Sequence, residues 1–204
     1  MILKNDCGCP EIEEEICECE HECCSGELIS TEEEDRCIKI FGEVDDDADI
    51  AIWSALRSFQ KKDPEGMITL YINSVGGCIQ SMFSIIDAMD ACSCPIRTIG
   101  VGKVYSSAIG ILSAGTPGER YASKSCRLML HSSQWGDSAQ HGEMIVSVKE
   151  AETVQNMYID IIVKNTQISP KKAKQIFQAG PSTYWSVNEA LRLGIIDKTL
   201  EEIL

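Results

Sequence analysis

The sequence predicts one α/β domain on a largely parallel sheet, preceded by an acidic segment outside its core. Three observations predict it. From residue 37 onward, short strand-like apolar runs alternate with longer stretches of helical periodicity. Two of the junctions where a strand gives way to a helix carry paired glycines or paired serines. The 204 residues are 44% hydrophobic and 25% charged, which suits a globular domain with one buried core.

The elements follow in order. Cys37-Ile-Lys-Ile-Phe41 alternates like a short strand. Asp45 to Asp49 form an acidic helix start, matched to the positive end of the helix dipole. Ile50, Trp53, Ala55, Leu56 and Phe59 give that helix an apolar face. Residues 67–73 read as a strand closed by Ser74-Val-Gly-Gly77, and residues 78–92 as a helix with Ile79, Met82, Phe83, Ile86 and Met89 on one side. A strand is expected over 95–102, a short apolar helix over 106–114 and a further strand over 127–131. The longest helix is expected over 139–166, with Ile145, Val148, Val154, Met157, Ile161 and Ile162 as its apolar set. Ser169-Pro170 opens another helix, its proline in the first turn where a missing N–H costs little. Ser186-Val-Asn-Glu189 is a capping box, and Gly194 stops that last helix.

The net charge of −14 is unevenly placed. Residues 1–49 hold 18 acids against 3 bases, whereas residues 50–204 hold 14 against 15. Neither part offers a basic patch fit to hold phosphates, so nucleic acid is not expected as a partner. No apolar run approaches the roughly 18–20 residues of a membrane helix, and no secretory signal opens the chain. A cytoplasmic protein without a membrane partner is expected. Residues 1–35 are rich in Glu and Cys and lack an apolar period, so they are expected to be mobile or to fold on assembly. Seven of the 11 cysteines fall in the first 37 residues. Their Cys-x-Cys spacing is tighter than the two to four residues of structural zinc sites, and no metal is assigned.

Functional groups in such sheets gather where strands end and helices begin. Asn73-Ser-Val-Gly-Gly77 can present bare backbone N–H groups to an oxyanion, or be a tight turn. Ser106 and Ser107 stand at another helix N-terminus, where a serine serves far more often as a cap than as a nucleophile. Of three histidines, His21 lies in the acidic segment and His141 in a polar stretch, while His131 ends an apolar strand. His131 gains interest as a base if it lies beside Ser106.

Residues 37–204 resemble the Clp protease family, the caseinolytic serine peptidases of ClpP type. The matching pieces are Tyr71-Ile-Asn-Ser-Val-Gly-Gly77, Gly102-Lys-Val-Tyr-Ser-Ser107, Ala114-Gly-Thr-Pro-Gly-Glu-Arg-Tyr-Ala122, Arg127-Leu-Met-Leu-His131 and residues 184–197. The resemblance implies a ClpP/crotonase-like fold: a repeated β-β-α superhelix with a protruding long handle helix. It also implies a homo-oligomer of stacked heptameric rings, unfolded polypeptide as substrate, an AAA+ unfoldase as partner and no cofactor. Carried over by position, Ser106 is the nucleophile and His131 the general base, with the N–H groups of Gly77 and Ser107 forming the oxyanion hole. Residues 36–204 would form the peptidase domain and residues 1–35 a segment at the axial pore.

Three of the departures from the family bear on the site. Val75 replaces a proline, Ser107-Ala108 replaces Met-Gly, and Ser182 stands where the third triad member, an Asp, is expected. A serine endopeptidase acting inside a ring chamber is therefore expected. An inactive ring subunit and a crotonase-type acyl-CoA enzyme are the alternatives.

Overall fold

The computed structural model describes residues 29–32, 35–136, 140–178 and 180–202. At its centre β2 (Cys37–Val44), β3 (Ile68–Gly77) and β4 (Ile96–Tyr105) run parallel. The connections are α1 (Asp46–Lys62) and α2 (Ile79–Ala91), as parallel neighbours require. After β4 comes α3 (Ser107–Ser113), buried along its whole length. The sheet then forks. Thr98–Gly100 of β4 pair with β5 (Arg120–Ala122), while Lys103–Tyr105 pair with β6 (Arg127–Leu130). β6 is followed by α4 (His141–Asn165) and α5 (Pro170–Gln178), and it pairs antiparallel with β7 (Thr183–Trp185). The chain closes with α6 (Val187–Arg192) and β8 (Lys198–Thr199), which lies parallel to β5.

Several expectations shift in register. On α1 the buried face is Ala48, Ile52, Ala55, Leu56 and Phe59, a spacing of three and four, and Ile50 is exposed. Asp45 caps this helix by accepting from the Ala48 N–H at 2.8 Å. β3 and β4 outrun their expected ends: Gly76, Gly77 and Gly102 remain inside strands instead of breaking them. β1 (Ile29–Glu32) lies within the acidic segment, yet it pairs antiparallel with β2 along the sheet edge. The rest of that segment, with the expected mobility and its first six cysteines, lies outside the described residues.

The core is aliphatic: Ile38, Ile40, Leu70 and Ile72 of the sheet are fully buried against Ile52, Leu56 and Ile85 of the helices. The long helix behaves differently. Only Val154, Tyr158, Ile159 and Ile162 of α4 are buried, all in its second half. Ile145 and Val148, expected on its apolar face, are exposed along with Met144 and Val146, because the first turns make no packing contact with the core, and Met157 is exposed on the outer side of the second half.

Two arginines tie distant segments together. The Arg36 guanidinium donates to the carbonyls of Phe59, Asp63, Gly66 and Met67. Arg120 forms a two-pronged pair with Asp197, at 2.8 and 2.6 Å, and also donates to the carbonyls of Ser113 and Asn165. Among the described residues no helix is long and apolar enough to cross a membrane.

Candidate active site

Ser106 links the end of β4 to the start of α3. It occupies the N-cap position, but its side chain makes no cap bond. Its φ is +53°, one of two positive values at non-glycine residues among those described. A serine held there costs about 1–3 kcal/mol, so the surrounding structure must impose it. Three contacts do so. The Ser106 N–H donates to the Met129 carbonyl at 2.7 Å, fixing the turn to β6 two residues before His131. The Ser106 carbonyl accepts from the Ile109 N–H at 3.0 Å and from the Tyr158 hydroxyl at 2.6 Å.

The glycine pair lets this turn sit where it does. A Cβ built on Gly76, at φ +88°, would lie 2.6 Å from the Ser106 Cβ and 3.0 Å from the Ser107 nitrogen. One built on Gly77 would lie 2.3 Å from the Val44 carbonyl oxygen. Only glycine permits both approaches. The Gly76 N–H is taken by the Ser74 hydroxyl at 3.0 Å.

Ser106, His131, Gly76 and Gly77 line one cleft of about 360 Å³. The serine and the histidine are thus brought to one place, although no hydrogen bond joins their side chains. Ser107 is not part of the wall. It is fully buried behind Ser106, and its hydroxyl has no partner among the described residues. As the first residue of α3 it carries an N–H that no helical carbonyl can reach.

The register of β6 with β7 pairs Leu130 with Thr183. Continued by one residue, it sets exposed Ser182 opposite His131, the place of the expected acid. Asp197 is committed to Arg120. Burial alone would raise its pKa, but the Arg120 charge and the N–H groups of Gly118 and Arg120 outweigh this and hold it below the usual aspartate range.

The family model of the Clp proteases matches residues 23–202. The chain belongs to the Clp protease family. The match begins ahead of the expected peptidase boundary and takes in β1. In this Clp protease fold the projecting half of α4 is the handle helix, and the cleft lies at the foot of the elements that carry it.

Among the cleft members that sequence reasoning missed are Glu43, Val75, Cys78, Ile79 and Trp135. Two carried a signal. Val75 is apolar yet sits between a serine and a glycine, and Trp135 is the one aromatic of a polar loop. The Trp135 Nε1 donates to the Ser147 hydroxyl at 3.0 Å, which seats the ring against α4. Glu43 gave none: it reaches the cleft only because the pairing of β2 with β3 sets it opposite Gly76, a partner distant in sequence.

Proposed function

We propose that this Clp protease family member is a serine endopeptidase acting through Ser106 and His131. Its carrying observation is the strained Ser106, uncapped and facing the cleft that His131 and Gly77 share. The Ser106 Oγ attacks the scissile carbonyl carbon while His131 takes its proton, and the carbonyl oxygen becomes an oxyanion. The N–H groups of Gly77 and Ser107 receive that charge, each worth roughly 3–4 kcal/mol in a measured oxyanion hole. The C–N bond then breaks as His131 passes the proton to the leaving amine. Water, deprotonated by His131, finally frees the acyl group from Ser106.

The exposed Met144, Ile145, Val146 and Val148 of α4 support self-association, in keeping with stacked heptameric rings. In that arrangement residues 36–204 build the chamber wall, residues 1–35 stand at its pore, and an AAA+ unfoldase delivers unfolded chains. The five cysteines among the described residues are all unpaired, which suits a reducing, cytoplasmic setting.

One observation favours a second reading, an inactive ring subunit. Among the described residues no carboxylate orients His131, whose side chain makes no hydrogen bond there, and Ser182 brings no negative charge. Loss of the Asp in a well-measured triad costs about 10⁴ in rate. The test is intact-mass analysis after fluorophosphonate treatment, beside Ser106→Ala. One stoichiometric adduct, absent from the variant, is expected. No adduct on assembled rings would transfer the assignment to the inactive subunit.

A further inference from the structure

We infer that the cleft selects substrates carrying a lysine or arginine beside the scissile bond, with Glu43 as the residue that reads the cation. The inference rests on the peptidase reading above and specifies its substrate class.

Glu43 is the penultimate residue of β2, and its backbone pairs with Gly76, the glycine against which Ser106 packs. One strand spacing, about 4.8 Å, therefore separates the Glu43 backbone from that glycine. Glu43 lines the cleft and is exposed there, and the residue that the register shift leaves unpaired is Val75 of β3, on the same wall. Glu43 forms no hydrogen bond or ion pair among the described residues. Among the described residues no Lys or Arg lines the cleft, and Glu43 is the one carboxylate in its wall.

The remaining wall fits the rest of a basic side chain. Val75 is 41% exposed and Trp135 is 43% exposed, and Ile79 lies half-buried beside them. Lysine and arginine carry long apolar stems with a cation at the tip. A stem laid along Val75 and Ile79 carries its cation toward Glu43, and the Trp135 ring adds a π face for it. A neutral apolar side chain of equal length makes the same stem contacts without the charge pair. An acidic side chain meets repulsion.

The experiment uses two internally quenched peptides, identical except for lysine or norleucine on both sides of the scissile bond. They are assayed with the full chain and with Glu43→Gln. For an exposed pair the wild-type kcat/KM ratio should favour lysine by roughly fivefold and fall as salt is raised. In Glu43→Gln the ratio should approach one. A wild-type ratio near one, or a ratio untouched by Glu43→Gln, overturns the inference and leaves the peptidase intact. If neither peptide is cut, the peptidase reading fails, and binding to Ser106→Ala is read instead from the emission of Trp135, with Trp135→Phe as the signal control. Equal affinity for the two peptides would then overturn the inference as well.

Discussion

The Tyr158 hydroxyl, fully buried in the second half of α4, donates a 2.6 Å hydrogen bond to the carbonyl oxygen of Ser106. The handle helix thus holds the residue proposed as nucleophile directly. Burial pushes the Tyr158 hydroxyl far above the usual tyrosine range, so it remains a donor at every working pH. Its ring is fixed in turn, edge-on to Phe177 at 5.0 Å.

Tyr158→Phe keeps the ring and deletes the bond. Stability should fall by about 1 kcal/mol, because the Ile109 N–H still serves the same carbonyl. Activity should fall through kcat rather than KM, since the turn of Ser106 loosens while the cleft wall stays. Denaturant unfolding and steady-state kinetics on one preparation check both.

Ser106→Gly and Ser106→Ala both remove the hydroxyl, yet only glycine is at ease at φ +53°. Relief of about 1–3 kcal/mol of strain outweighs the extra chain entropy of glycine, about 0.5–1 kcal/mol. Thermal denaturation should therefore find the glycine variant more stable than the alanine variant by about 1 kcal/mol.

Gly76→Ala drives a methyl to 2.6 Å from both the Ser106 Cβ and the Tyr105 carbonyl oxygen. Both contacts are with the Ser106 turn, so the serine must move. A stability loss of about 3 kcal/mol is expected, with fluorophosphonate labelling of Ser106 abolished in whatever remains folded.

Much of this arrangement was legible beforehand, for identifiable reasons. The acidic start of α1 and the Ser186 capping box are local signals, and both stand in the structure. Ser106 and the glycine pair stood out because strand-to-helix junctions concentrate chemistry, and His131 as one of three histidines, while the roles proposed for them come from the family resemblance. What failed is what depends on partners distant in sequence. Gly76 and Gly77 read as breakers, yet pairing with Glu43 and Val44 keeps them within the strand. β5, β7 and β8 are two or three residues long, too short for any period to show. Tyr158 is a helical residue 52 positions from Ser106, and no pattern in the sequence couples them.

Asp197→Asn should cost about 2 kcal/mol at neutral pH by leaving Arg120 short of its charge partner. The folded-state pKa of Asp197 is depressed, so its contribution is present above the ordinary value of 3.8 and is lost as pH falls through the folded value. The gap in Tm between wild type and variant should accordingly be widest near neutrality and close below about pH 3.8. A gap that stays constant to acid pH would assign the effect to packing alone.

Arg36 has a consequence for how far the chain can be trimmed. Its side chain serves four carbonyls at the end of α1 and in the loop before β3, and its own carbonyl accepts from the Thr69 N–H at 3.0 Å. A protein cut back to begin at residue 36 loses the edge strand but keeps this knot. One beginning two residues later leaves four acceptors open at once. The minimal folding unit is thus delimited by one guanidinium, and serial truncation should show a step at that residue instead of a slope.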